Sequence, residues 1–86
     1  MNYAPNLASL VEDTKRQMTS ITGMECDTIS QFDHTDNGWT MVIDMLEHRS
    51  IPRTQDLLSS FEVALDVDGK VTRWKRAARF TRGQGG

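Results

Sequence analysis

The side chains that could act as nucleophiles or metal ligands are few in this 86-residue sequence, which contains one cysteine and two histidines. Cys26 and His34 are expected on one strand, roughly 26 Å apart at ~3.3 Å per residue. A nucleophile and its base need hydrogen-bond contact, so the two residues do not form a catalytic dyad. His48 could approach Cys26 across a hairpin, but the pairing parity predicts opposite faces of the sheet. These three residues also lack the number and spacing of a zinc site.

The segment Asp66-Val67-Asp68-Gly69 resembles the start of a calcium-binding loop, but no bidentate glutamate follows at the required position. We therefore interpret it as a tight turn between strands. Other acidic residues occur singly along predicted strands, which is typical of a solvated surface. The sequence predicts a protein that is not an enzyme and that binds no cofactor or metal.

Charge is distributed very unevenly along the chain. Residues 1–69 contain all twelve acidic residues and four basic ones, whereas residues 70–86 contain six basic residues and no acidic one. A patch of one sign selects partners with complementary surfaces. Arg73, Lys75 and Arg79 are predicted to point outward from the last strand. Glu62 and Asp66 across the ladder balance part of this charge, which leaves few partners inside the chain for Lys70, Arg73, Arg79 and Arg82. Arg73, Lys75 and Arg79, together with Arg82 beyond them, are our candidate partner-binding residues.

The length of the chain predicts a single domain over residues 1–82, followed by a flexible tail over residues 83–86. The chain has no apolar stretch near the ~18 residues of a membrane span, and its first residues lack the basic start and the apolar run that are typical of a signal peptide. A single cysteine suits a reducing compartment. We expect a soluble, cytoplasmic protein with little interior for a deep pocket.

Apolar residues at spacings of three and four predict one amphipathic helix over about residues 6–22, with Asn6 as its N-cap and Gly23 ending it. The residues of the apolar stripe are Leu7, Leu10, Val11, Thr14, Met18 and Ile21.

After Gly23 the pattern alternates with a period of two, which predicts strands. The first is expected at a sheet edge and is followed by a turn at residues 35–38. Ile51-Pro52 interrupts the pattern between residues 48 and 56, and a third strand follows over about residues 57–67. The first strand is expected to place Met24, Cys26, Thr28, Ser30 and Phe32 on one face, and the second to bury Trp39, Met41, Ile43 and Met45.

The last hairpin is predicted to turn at Asp68-Gly69, so that Val67 faces Lys70 and Glu62 faces Lys75. This register places Trp74, Ala78 and Phe80 on the core face. The predicted fold is α+β, with an N-terminal helix packed on a four-stranded antiparallel β-meander. RNA or DNA binding by the basic strand is the alternative to protein binding, and it requires an exposed aromatic side chain on which bases can stack.

The stretch from Gly38 to Gln84 resembles the gas vesicle synthesis protein O (GvpO) family. The matching features are a Gly-Trp pair opening a strand, Arg-x-Ile-Pro at residues 49–52, Leu-Asp-x-Asp-Gly at residues 65–69 and Arg-Phe-x-Arg-Gly-Gln at residues 79–84. His48 and Ser50 stand where acidic residues are more usual in the family.

The resemblance implies a small cytoplasmic accessory protein that contacts other vesicle proteins while gas vesicles assemble, without catalytic residues. It also implies an influence on vesicle gene expression as an alternative. We further expect that the free edge of the first strand could pair two copies into a dimer.

Overall fold

The computed structural model describes residues 7–83, and within them one helix precedes four strands. The sheet order β1-β2-β3-β4 with antiparallel neighbours is a meander, so the predicted α+β fold is confirmed. The predicted N-cap, Asn6, lies outside the described residues. The elements are α1 (Leu7–Thr22), β1 (Glu25–Thr35), β2 (Gly38–His48), a short 3-10 helix (Arg53–Gln55), β3 (Leu57–Leu65) and β4 (Val71–Thr81).

Helix α1 buries a narrower stripe than its sequence pattern predicts. Leu10, Thr14 and Met18, each four residues apart, are buried, whereas Leu7 and Ile21 at the two ends are exposed. The Thr14 hydroxyl donates to the Leu10 carbonyl at 2.8 Å, so a polar group is satisfied at the helix–sheet contact. The helix ends as predicted, because the Gly23 amide closes its last turn on the Thr19 carbonyl at 2.8 Å.

The core lies between α1 and one face of the sheet, which we call the helix face; the opposite face is the open face. Alternation on β2 was predicted correctly, because Met41, Ile43 and Met45 are all buried, with Trp39 half-buried beside them. The buried core residues of β3 are Phe61, Val63 and Leu65.

The predicted alternation on β1 is wrong, although its edge position is confirmed. The pairing with β2 shifts once between Cys26 and Thr28 and once between Ile29 and Gln31. Each bulge inserts an extra residue and reverses the facing of those that follow. As a result Cys26, Ile29 and Phe32 all pack against the core, whereas Thr28 is exposed.

The turn after β1 joins Thr35 to Gly38 through two central residues, as the sequence predicts. Gly38 has a φ of 146°, and a Cβ atom there would lie 2.0 Å from the Leu65 carbonyl oxygen of β3. Only glycine permits both this backbone conformation and this close approach. The first position of β2 is therefore fixed by contact with a neighbouring strand.

The turn before β4 differs from the predicted two-residue turn. The Asp66 amide donates to the Lys70 carbonyl at 2.9 Å, so three residues form the loop and Gly69 takes a φ of 82°. A carboxylate oxygen of Asp66 accepts from the amides of Asp68 and Lys70 at 2.9 and 3.0 Å. The Gln17 amide of α1 then binds both sides of this turn, at the Gly69 carbonyl (2.9 Å) and the Val71 amide (2.8 Å).

The segment between β2 and β3 is irregular at the predicted position and contains a cis peptide bond before Pro52. The Gly83 amide donates to the Thr54 carbonyl at 2.9 Å, which ties the first residue of the predicted tail to this segment. The rest of that tail, residues 84–86, lies outside the described residues. No helix within residues 7–83 is long and apolar enough to cross a membrane.

Candidate partner-binding surface on the last strand

Strand β4 carries the cations that the sequence singles out, and its register decides which face each one occupies. Glu62 pairs with Lys75 and Val63 with Trp74, as predicted, but the pairing shifts on either side of this segment. Thr72 and Ala77 are extra residues in β4 and form two bulges. Beyond each bulge the side chains of β4 lie on the face of the sheet opposite to the one that regular alternation predicts. No turn or spacing signal in the sequence marks either bulge.

Arg73 and Lys75 lie on the open face, as predicted, across from Ala64 and Glu62 respectively. Both are exposed. Neither side chain forms a hydrogen bond or ion pair with another residue in the range 7–83. Within residues 7–83 the charges of these two side chains are therefore not balanced by an ion pair.

Arg79 is not on the predicted face. It pairs with Ser59 on the helix face, where its guanidinium forms an ion pair with Glu47 at 2.5 Å. Arg76 reaches the same carboxylate at 3.4 Å, and the buried Ser59 hydroxyl donates to it at 2.5 Å. Hydrogen bonds from Ser59 and Arg79 lower the pKa of Glu47, with the charge of Arg76 adding to the effect. The charge of Arg79 is thus compensated inside the chain.

Arg82 is also engaged within the chain, contrary to the prediction that it has few internal partners. Its guanidinium contacts Asp27 of β1 at 2.9 Å and the buried Asp56 at 3.1 Å, an arrangement that we call the Arg82 clasp. Asp27 is the extra residue of the first bulge in β1. The bulge turns the Asp27 side chain toward Arg82. The hydrogen bond from Arg82 lowers the pKa of Asp27. The backbone amide of Ser50 donates to Asp56 at 2.7 Å and is the main cause of its lowered pKa.

Trp74 and Phe80 are both predicted to face the core; the predicted face is confirmed for Trp74, although its side chain is not buried, and it is wrong for Phe80. Trp74 shares a face with Val63 but remains 49% exposed, because it lies on an edge strand. Phe80 falls on the open face after the Ala77 bulge and is half-buried across from Leu58. Leu46 pairs with Leu58 from the other side, so one end of the open face carries a short apolar row.

The open face forms a groove of about 590 Å³ that crosses all four strands, and we call it the open-face groove. Arg73 and Lys75 stand on its β4 side, and Asp33 stands on its β1 side. Short or apolar side chains of the two central strands, Thr40, Val42 and Ala64, line the middle. The groove therefore has basic side chains along its β4 side and an acidic side chain on its β1 side.

The surroundings of Cys26 do not favour a role as a catalytic nucleophile. Burial raises the pKa of its thiol, which disfavours the reactive thiolate. His34 lies at the other end of β1, with its ring 5.4 Å from that of Trp39. Within residues 7–83, no three His, Cys, Asp or Glu side chains are close enough to hold a metal ion.

The basic surface of the last strand was predicted from charge alone, and the structure divides it into two parts. Arg73 and Lys75 have no ion pair on the open face within the described part of the chain, whereas Arg79 and Arg82 bind internal carboxylates. The acidic partners Asp27, Glu47 and Asp56 were missed, because nothing in their sequence spacing relates them to residues so distant along the chain.

Comparison with known proteins identifies similar sequences. A family model described as "Gas vesicle synthesis protein GvpO" matches residues 2–86. Gas vesicle protein O of Streptomyces sp. (strain CB03234) is 40% identical over 68 residues, which cover 79% of this chain and 53% of that protein. Gas vesicle protein O of Haloferax mediterranei is 36% identical over 47 residues (55% and 34%), and gas vesicle protein O1 of Halobacterium salinarum is 38% identical over 48 residues (56% and 40%). The chain thus spans about half or less of the length of these relatives. No solved structure matches it.

Proposed function

The chain belongs to the gas vesicle synthesis protein GvpO family, and from this membership we propose that it acts in gas vesicle formation. The observation that carries the proposal is the family match over residues 2–86. The relatives named above are gas vesicle proteins of a Streptomyces, a Haloferax and a Halobacterium species. We propose a cytoplasmic accessory protein that works by binding other vesicle proteins and not by catalysis.

The proposed contact is between the cations of the open-face groove and an acidic surface on another vesicle protein. Support comes from the exposure of Arg73 and Lys75, from their lack of ion pairs within residues 7–83, and from the groove that they border. Arg79 and Arg82 belonged to the surface expected from the sequence. We propose an internal role for both, because Arg79 balances the charge of Glu47, and Arg82 balances those of Asp27 and the buried Asp56. Removing a cation from such a pair leaves carboxylate charge less well compensated, which destabilises the fold.

A contact of this kind depends on salt. Exposed charges are screened as the Debye length falls from ~10 Å at 0.1 M to ~3 Å at 1 M ionic strength. Capture of individually purified vesicle proteins by the immobilised chain should therefore weaken steeply over this range. The double variant Arg73→Glu/Lys75→Glu should lose capture at low salt, whereas Lys15→Glu/Arg16→Glu, with the same change in net charge on the helix, should keep it. Capture that is insensitive to salt would refute an electrostatic contact.

Nucleic-acid binding is the second candidate, and the exposed indole of Trp74 favours it. Aromatic rings on a basic strand can stack on unpaired bases while cations contact phosphates. Trp74 has Arg76 near it on the helix face and Arg73 and Lys75 as chain neighbours. Fluorescence anisotropy with single-stranded RNA and DNA oligonucleotides tests this candidate. Binding that is lost in Trp74→Ala supports it, and no binding at low salt rejects it.

The proposed role in vesicle formation is tested by deleting the gene in its host and counting vesicles by electron microscopy. Loss of vesicles, restored by the wild-type chain, is the expected result. Normal vesicle numbers after deletion would reject the role, whatever the chain binds in vitro.

A further inference from the structure

The open-face groove is built from two rows of residues that run across the sheet in register. Each row takes one residue from each strand, in the order β1, β2, β3, β4. The rows are Asp33-Thr40-Ala64-Arg73 and Gln31-Val42-Glu62-Lys75.

The first row ends in an acid on one side and a cation on the other. Asp33 and Arg73 are separated by three strand spacings, ~14 Å, so they cannot pair within one chain. Neither forms an ion pair with any other residue in the range 7–83. In the second row Lys75 has the acidic Glu62 directly across from it. Within these two rows, and among the residues that the structure describes, the charges without an opposite neighbour are therefore Asp33 and Arg73.

A two-fold rotation about an axis parallel to the strands and above the middle of the sheet exchanges the positions of β1 and β4. A second copy placed face to face by this rotation brings its Asp33 over Arg73, and its Arg73 over Asp33. Two-fold dimers are the commonest closed assemblies, and each contact in them occurs twice. Thr40 and Ala64 between the charges are short, so the sheets can approach the ~10 Å spacing of packed sheets.

We propose that two copies of this chain form a dimer through their open faces, held by reciprocal Asp33–Arg73 ion pairs. The edges of the sheet are less suited to self-association. Strands β1 and β4 each carry two bulges, which interrupt the regular backbone ladder that edge pairing needs. The dimer would cover Arg73 and Lys75, so self-association and binding of an acidic partner compete for one surface. This inference goes beyond the proposed role in vesicle formation and does not depend on it.

The test is sedimentation equilibrium on the purified chain in low salt at about 10 to 500 µM, a range suited to a weak interface. The wild type should approach twice the monomer mass at the upper end. Asp33→Arg and Arg73→Asp should each raise the dissociation constant more than about tenfold, because each places like charges together twice. The double variant Asp33→Arg/Arg73→Asp should dimerise again. Circular dichroism of each variant confirms that it is folded before its mass is interpreted.

Several results would overturn the proposal. A wild-type chain that stays monomeric, or single variants that still dimerise, would exclude the open face as the interface. Dimers that survive Arg73→Asp would instead indicate pairing through the β1 edge. A mass that keeps growing with concentration would indicate head-to-tail pairing of β4 with β1. Each of these results leaves the vesicle count after gene deletion unchanged, so failure of the dimer and failure of the proposed function are separable.

Discussion

Truncation of Trp74 measures whether this side chain is surface or core. Trp74→Ala should lower the free energy of unfolding by about 2 kcal/mol, because a fully buried tryptophan or phenylalanine costs 3–5 kcal/mol on truncation and Trp74 is 49% exposed. Phe61→Ala is the matched control. Phe61 is 6% exposed on the neighbouring strand and should lose about 4 kcal/mol. The expected ratio of the two losses is therefore about one half.

Urea unfolding followed by circular dichroism provides both free energies. Acrylamide quenching gives a second readout, and it is measured in a Trp39→Phe background because the chain has two tryptophans. Trp74 should be quenched readily in the folded protein. Trp74 is not a surface residue if Trp74→Ala lowers the free energy of unfolding as much as Phe61→Ala does, or if acrylamide fails to quench its indole. In either case no exposed aromatic ring on β4 would be available for bases to stack on.

Three further predictions follow from the fold. Gly38→Ala should destabilise the protein by more than about 3 kcal/mol, because its Cβ would clash with the backbone of β3. Gly23→Ala should lose only about 1–2 kcal/mol, because its φ of 75° strains an L residue while nothing lies within 4 Å of the added Cβ; equal losses in urea unfolding would contradict this. Asp27 has a lowered pKa in the fold, so the stability that it contributes through Arg82 is present above its unfolded pKa of about 3.9 and is lost as the pH falls through the folded value. The stability difference between wild type and Asp27→Asn should accordingly vanish toward pH 2, and a difference that is constant with pH would exclude this ion pair. The Cys26 thiol, whose pKa is raised by burial, should react more slowly with a disulfide reagent in the folded protein than in urea; equal rates would show that the thiol is not protected.

The helix, the order of the four strands and the buried face of β2 could be predicted, because each rests on local periodicity or on a turn signal. Met41, Ile43 and Met45 alternate without interruption, so the period alone identifies their face. The end of the helix at Gly23 follows from the same kind of local signal.

The facing of side chains on the two edge strands could not be predicted. Single extra residues such as Asp27 in β1 and Ala77 in β4 shift the ladder, and a shift of one residue reverses every side chain that follows. This is why Arg79 and Phe80 lie on the faces opposite to those expected, whereas Arg73 and Lys75, in the unshifted segment, were placed correctly. The Arg82 clasp joins residues that are 26 and 55 positions apart, and only the folded chain brings them together.

We propose that Arg73 and Lys75 form the surface through which this chain acts in gas vesicle formation. The most direct test of this proposal is complementation of the gene deletion with the Arg73→Glu/Lys75→Glu variant, with vesicles counted by electron microscopy. The Lys15→Glu/Arg16→Glu variant is the control for net charge, and both proteins must be shown to be folded and present at wild-type levels. We predict few or no vesicles with the first variant and normal numbers with the second. Full restoration by Arg73→Glu/Lys75→Glu would show that these two cations are not needed for vesicle formation.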